Sequence, residues 1–324
     1  AYSKLGYQTA YYKTHARAAF MCAHLNLTIS KRTPDLAAYI DAIKKDIMGS
    51  GIKIRACDIN YSKDRYVCID TKTIVTGLNA VQGLGEVAIS SIFASQPYSS
   101  FEDFVYRSPG AVNKKVIIAL AKSGAFDCFN LTRRGIVSVL DDADKSKKLR
   151  TAINKFGDKA KLANPSLNDK DIDWSAFTGL DEIRHTAEYD TRSLLMAERQ
   201  VIGEFVSGNA AQAFPGFFRN LPVIRFADLE SMPTNHKIVF EGILVDVDPM
   251  PVKSGKNAGK MQARGKVESL NREDFPLMIW SDVWEKEKEH LVPGTPFIGR
   301  FTVREWNGVK SLNLDQLVSV WSEK

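Results

Sequence analysis

Apolar residues recur three or four positions apart through the first part of the chain and alternate through the last, so the pattern predicts helices followed by strands. Leu5, Thr9, Tyr12 and Ala16 keep the helical spacing, and Ala19, Ala23 and Leu27 continue it. Thr33 before Pro34 predicts the N-cap and first turn of a helix that runs through Met48 and stops at Gly49-Ser50-Gly51. Ile52–Cys57 and Tyr66–Asp70 read as short extended segments around the turn residues Asn60–Asp64. Ser99–Tyr106 predicts a short helix with Phe101, Phe104 and Val105 on its core face.

Between these elements, Leu78/Ala80/Val81 and Val87/Ala88/Ile89/Ile92 flank a Gly83-Leu84-Gly85 turn. Two small helices joined by a tight glycine hairpin have this pattern. Glycine permits unusual dihedrals and close approach of another backbone, and Leu84 can pin the turn to the core. The amides around Gly83–Glu86 then open a helix, where unpaired N–H groups and the helix dipole attract phosphate. An ordinary turn between helices fits a bare Gly-x-Gly; the flanking apolar spacing favours a helix-hairpin-helix that grips a nucleic-acid backbone. Asn113-Lys114-Lys115 through Lys122-Ser123-Gly124 predicts a second unit, its helix ending at Gly124, with Arg133 and Arg134 opening another helix.

Residues 141–183 are polar and predict a helical or loosely ordered linker, followed by a helix over about 184–206 and an irregular stretch carrying Pro215, Pro222 and Pro233. From Lys237 the period becomes two. Ile238–Val247, with Gly242 as a bend, Lys260–Leu270, Asp274–Trp280, Pro296–Arg304 and Val309–Leu317 predict strands, with one helix, Ser281–Leu291, between the third and fourth. That is the order of an OB-fold, whose oligonucleotide surface includes the loops after strands one and four. Those loops carry Lys253, Lys256, Lys260 and the following Arg264, and Trp306. Trp280 and Trp306 have the ring faces that stack on bases, although Trp280 also fits a core position. The predicted fold class is therefore multidomain, α then β: a helical fingers and tandem helix-hairpin-helix region followed by a five-stranded OB-fold barrel.

Composition adds direction. The formal net charge is +6 over 324 residues, which leans toward a polyanionic partner. Lys253, Lys256, Lys260, Arg264 and Lys266 stand together with no acid among them. Four scattered cysteines suit a reducing compartment, no apolar run is long enough to cross a bilayer, and the expected location is the cytoplasm, without membrane contact. The chain opens Ala-Tyr-Ser-Lys inside a helical pattern, which reads as a piece of something longer.

Catalytic patterns fail on inspection. Asp169-x-Asp171-x-Asp173 begins like a calcium loop, but Trp174 stands where glycine is needed and Leu180 where a bidentate Glu is needed. Asp141, Asp142 and Asp144 read as a solvated helix cap. Cys22, His24, Cys57 and Cys68 lack any C-x-x-C pair, so no metal or other cofactor is expected in this chain. There is no P-loop and no nucleophile elbow.

Tyr7-Gln8-Thr9-Ala10-Tyr11-Tyr12-Lys13-Thr14-His15 with Ala19-Phe20-Met21, Gly51-Ile52-Lys53 through Asp58-Ile59-Asn60, the two hairpin segments and Glu198–Gly208 occur here in one order. Together they resemble the bacterial replicative DNA polymerases of family C, the polymerase III alpha subunits. The resemblance covers nearly the whole chain and is weakest over 141–195. It implies a C-terminal portion of such an enzyme: distal fingers (1–70, with Tyr7, Gln8, Lys13 and His15), tandem helix-hairpin-helix (71–140), a helical linker region (141–236) and OB-fold (237–324). It also implies duplex contacts from Gly83, Leu84, Gly85, Glu86, Lys114, Lys115, Lys122 and Gly124, and single-strand contacts from the OB residues above. The palm, with the carboxylates that hold Mg2+ for two-metal nucleotidyl transfer, is implied to lie upstream, leaving this chain without a self-sufficient active site. The remainder of the polymerase is the expected partner besides DNA. A sliding clamp is a further partner of the family, but Ile153-Asn154-Lys155-Phe156-Gly157 lacks the expected Gln and Gln212-Ala213-Phe214-Pro215-Gly216-Phe217-Phe218 comes late. A phage-type or split polymerase accounts for these departures. A free-standing helix-hairpin-helix/OB protein of replication or repair is the alternative, and a nuclease built on Asp169, Asp171 and Asp173 is the poorer third.

Overall fold

The computed structural model describes residues 2–29, 40, 43–44, 46–47, 49–108, 110–203, 205–208, 210–219, 221–222, 224, 226–252, 254–255, 257–270, 273–306 and 308–321. Most of the helix expected over 34–48 lies outside the described residues. The chain divides into two units, Ala1–Gly208 and Asn209–Lys324.

The first unit begins with α1 (Tyr2–His15), which buries no residue, and α2 (Arg17–Ile29), which buries Ala18, Met21, Cys22 and Leu25. These pack with Ile43, Ile47, Ile52, Tyr66 and Ile74 in a small core. Asn26 ties α2 to the chain beside it: its side-chain amide donates to the Tyr66 carbonyl (2.8 Å) and its oxygen accepts from the Tyr66 amide (3.1 Å). The extended segments form a three-stranded sheet of β1 (Lys53–Arg55), β2 (Val67–Asp70) and β3 (Thr73–Val75). β3 lies between the others, parallel to β1 and antiparallel to β2.

The larger core of this unit forms under helices α3 (Glu86–Ser95), α4 (Phe101–Arg107), α5 (Lys114–Lys122), α6 (Arg133–Asp141), α7 (Ala143–Ala163), α8 (Asp181–His185) and α9 (Thr191–Ile202). Phe101, Phe104 and Phe126 meet edge to face at its centre, with centroids 5.1 and 4.9 Å apart. The polar stretch that read as a linker is part of this body. Its 21-residue α7 turns Leu149, Ile153 and Gly157 inward, and Gly157 lies where any Cβ would strike the Tyr106 ring. Phe156 stacks on Trp174 at 5.4 Å, and Trp174, Phe177 and Ile183 close the same core.

A charged network crosses it. The Arg133 guanidinium, 4% exposed, donates to both Asp127 carboxylate oxygens (3.0 and 2.7 Å) and to the Lys122 carbonyl (3.3 Å), and lies 3.7 Å from Glu198. Burial opposes the charge, but the Asp127 carboxylate and then Glu198 hold Arg133 above its ordinary value. Glu198, fully buried, also accepts from the amides of Val206 and Ser207 (2.8 Å each) and from the Ser207 hydroxyl (2.7 Å).

The second unit is a closed barrel. Strands β4 (Lys237–Pro251), β5 (Met261–Ser269), β6 (Asp274–Ile279), β7 (Pro296–Trp306) and β8 (Val309–Val320) pair in the order β4-β5-β6-β8-β7, and β4 closes on β7. The β6–β8 pair is parallel and the others antiparallel. This is the mixed five-stranded OB-type barrel that the alternation predicts. Gly242 pairs with Ser269 on one side and Phe297 on the other, and a Cβ there would collide with the Glu268 carbonyl. Helix α12 (Ser281–Glu287), between β6 and β7, seats Trp284 in the barrel core. Before the barrel, α10 (Ala210–Ala213) and α11 (Phe226–Ser231) lead in, and the buried Glu241 carboxylate accepts from the amides of Arg219 and Leu221 (2.8 and 2.9 Å).

Removing one member of a buried ion pair strands the other. Glu198→Ala is therefore expected to lower the stability of the first unit by about 3 kcal/mol, read from urea unfolding. A loss under about 1 kcal/mol would mean that Asp127 alone sustains Arg133.

Candidate nucleic-acid interface

The first hairpin is tighter than two helices. Its leading element is a single 3-10 turn, Leu78–Ala80, and not the α-helix that the spacing suggests. Gly77, which precedes it, lies where a Cβ would overlap the backbone of Arg65. The turn is tethered by the Gln82 amide, which donates to the Val201 carbonyl at 2.7 Å, and by Leu84, packed on the main core. Gly83 holds φ +88, a conformation that disfavours any side chain.

Gly85 is a different case. It caps α3 with ordinary extended dihedrals, φ −84 and ψ 159, and open space surrounds a Cβ built there. Neither strain nor crowding demands glycine; what glycine does here is leave the cap without a side chain. The first helical bond runs from the Ile89 amide to the Gly85 carbonyl. Among the described residues, no acceptor meets the amides of Glu86, Val87 or Ala88. Glu86 and Val87 are exposed, so a phosphate oxygen has access to these donors and to the positive end of the helix. The exposed Glu86 carboxylate, on the same turn, works against an anion placed directly over it.

The second unit has more of its helix-start amides satisfied. Helix α5 is capped by Asn113, whose side chain accepts from the Val116 amide at 3.1 Å. Helix α6 has its amides taken internally: Thr132 accepts from Gly135 at 3.1 Å, and the Glu188 carboxylate accepts from Arg133 and Arg134 at 2.7 and 3.0 Å. An internal anion thus sits at the start of α6, while the Lys114 and Lys115 amides at the start of α5 meet no acceptor among the described residues. Gly124, φ +85, is buried under the Arg133 guanidinium, which a Cβ would displace. Lys114 donates to the Asp141 carbonyl (3.0 Å), Lys122 to the Gln200 side chain (3.0 Å), and Lys115 is exposed.

Tyr7, Gln8, Lys13 and His15 all lie on α1, whose surface is entirely solvent-facing. Lys13 pairs with Asp46 at 3.6 Å, and the His15 ring lies 4.5 Å from that of Tyr11. The acidic run is structural: Asp169 pairs with Lys161 (2.6 Å), Asp171 accepts from Asn168 (3.0 Å), and Asp173 caps the Ser175 amide (2.9 Å). Asp142 caps α7, and the Lys145 and then Asp144 amides hold its carboxyl below the ordinary range. The aromatic residues of the two clamp-like segments are packed away, Phe156 against Trp174 and Phe177, and Phe214 against Trp321. No three His, Cys, Asp or Glu side chains among the described residues converge as metal ligands would, and no described helix is long and apolar enough to cross a membrane.

In the barrel unit, Lys253 and Lys256 lie outside the described residues, as does the side chain of Trp306. Lys260, at the base of the β4–β5 loop, lies 3.7 Å from Asp282. Strand alternation turns Phe275, Leu277 and Ile279 inward, leaving Pro276 and Met278 on the outer face. Across from them on β5 stand Lys266 and Arg264, in register with Pro276 and Met278. Asp246 and Asp248 of β4 flank the same two cations on the other side, so an anionic strand is favoured on the β6 side. There Trp280, 51% exposed, continues the row. Its carbonyl accepts from the Val283 and Trp284 amides (3.0 and 2.8 Å), which fixes the corner that presents the indole. The period-two pattern was the available signal for this outward position. Because Glu188 satisfies two α6 amides, Glu188→Ala is expected to cost about 1–2 kcal/mol in urea unfolding; an unchanged midpoint would show those amides satisfied in another way.

Residues 51–136 match the family described as the helix-hairpin-helix motif. The DNA polymerase III subunit alpha of Treponema pallidum is 27% identical over 91% of this chain and 24% of its own length. That of Helicobacter pylori strain J99 is 28% identical over 100% of this chain and 27% of its own length, and that of Buchnera aphidicola subsp. Schizaphis graminum 33% over 48% and 13%. The second single-stranded DNA-binding protein of Mycobacterium smegmatis has a solved structure that is 15% identical and covers 27% of this chain and 84% of its own, with a TM-score of 0.20. The chain spans about a quarter of the length of the first polymerase relative. Over most of its length the chain is similar to part of the DNA polymerase III alpha subunits.

Proposed function

We propose that this chain is the DNA-holding, C-terminal portion of a bacterial or phage replicative polymerase III alpha subunit. In this reading α3 holds a phosphate of the duplex leaving the active site, and the barrel holds single-stranded template. Nucleotidyl transfer falls to palm carboxylates with Mg2+ outside this chain, and the distal fingers, tandem hairpin, helical and OB segments divide near residues 70, 140 and 236. The observation that carries the reading is the uncapped start of α3 behind Gly83-Leu84-Gly85, three consecutive amides without an internal acceptor. Its occupant needs negative charge and no particular base, which is what a phosphodiester backbone supplies. Lys114, Lys115 and Lys122 stand near the second hairpin as supplementary charge. In the barrel, Arg264 and Lys266 meet phosphates while Trp280 stacks on a base.

Two binding measurements test it. Gly83→Val is expected to weaken duplex binding at every sequence, by tenfold or more in fluorescence anisotropy; unchanged affinity with an intact fold contradicts the phosphate grip. In the barrel, Lys260→Ala with Arg264→Ala is expected to reduce the salt slope of single-strand binding by about one to two counterions, and Trp280→Ala to cost about 1–3 kcal/mol. An unaltered slope and affinity would place the strand elsewhere.

A further inference from the structure

Away from the first hairpin, helices α4, α5, α6 and α7 enclose an open cavity of about 290 Å3. Its floor is Val105, Ile117, Leu140 and Leu149, and its rim is Lys114, Lys147 and Arg150. No acidic side chain lines it. Lys114 donates to the Asp141 carbonyl at 3.0 Å and Arg150 to the Val112 carbonyl at 3.5 Å. Neutral carbonyls fix these cations without cancelling their charge, and among the described residues none of the three rim cations forms an ion pair.

An apolar floor under a cationic rim calls for a ligand with both characters. The phosphodiester backbone of a duplex, its bases paired inward, satisfies the rim but leaves the floor wet, because the phosphate and sugar it presents have no apolar group to fill it. Free hydrocarbon satisfies the floor and ignores the rim. A peptide with one bulky apolar side chain beside several carboxylates satisfies both, the side chain displacing water from the floor and the carboxylates meeting Lys114, Lys147 and Arg150. We propose that this cavity captures an acidic peptide segment of a partner protein, anchored by one large apolar side chain. The proposal goes beyond the DNA-holding reading and does not depend on the open amides of α3.

The test titrates the full chain into a fluorescein-labelled peptide of four glutamates followed by one phenylalanine and follows anisotropy. Saturable binding is expected, weakened at least tenfold when the peptide's phenylalanine is replaced by serine. Ser146→Trp, from a half-buried position on the α7 side of the cavity, fills the mouth and is expected to weaken the peptide at least tenfold while the thermal unfolding midpoint holds. Ala143→Trp, at an exposed lining position one turn earlier, repeats the blockade if the first variant folds poorly. Lys147→Glu with Arg150→Glu is expected to weaken binding to the same degree. The proposal is overturned if the wild-type chain fails to bind, if the serine peptide binds as well as the parent, or if the tryptophan variants retain full affinity. A single-stranded oligonucleotide whose own binding is abolished by Ser146→Trp would also overturn it, by assigning the cavity to nucleic acid.

Discussion

A single buried guanidinium sets the frame of the helical unit. Arg133 joins the end of α5, the turn at Asp127 and the Glu198 carboxylate of α9. A charge in such a dry place is tolerable only when every donor finds a partner, and this fixes how close those elements stand. Gly124 follows from it, since the guanidinium occupies the space a Cβ would take. The first hairpin is hung from the same framework, because Val201, three residues beyond Glu198, accepts from the Gln82 amide.

On this rigid frame, the choice of cap residue decides which helix start is open. Between Glu86 and Ile202, the longer helices α5, α6, α7 and α9 each take a side-chain cap, from Asn113, Thr132, Asp142 and Asp190. Helix α3 takes none, although Gly85 has both the dihedrals and the space for one. A cap residue in place of Gly85 would add stability, so its omission there and the Glu188 carboxylate at α6 are opposite solutions to one problem. At α6 a carboxylate of the chain completes the first hydrogen bonds, and at α3 no group among the described residues does.

Much of this architecture was legible. The barrel announced itself because strand alternation such as Phe275/Leu277/Ile279 records which face is buried, and the helix between the third and fourth strands fixed the topology. The glycine hairpin was legible because Gly83 has a local conformational reason. What escaped detection was short or distant. β3 has three residues, too few for any period. The apolar stripe of α7, Leu149, Ile153 and Phe156, is diluted by seven cations in a 21-residue helix. The closure of α6 depends on Glu188, which is 55 residues from the Arg133 amide it accepts. No local pattern encodes that pairing.

The central claim is that open amides at the start of α3 hold a phosphate, and Gly85→Asp addresses it most directly. A carboxylate at this cap accepts from the same amides and occupies the anion's place, without the strain that a change at Gly83 introduces. Stability and duplex affinity measured on the same variant should move in opposite directions: unfolding harder by about 0.5–1 kcal/mol, binding at least tenfold weaker. A variant that is stabilised yet binds duplex DNA as well as the parent would contradict the account.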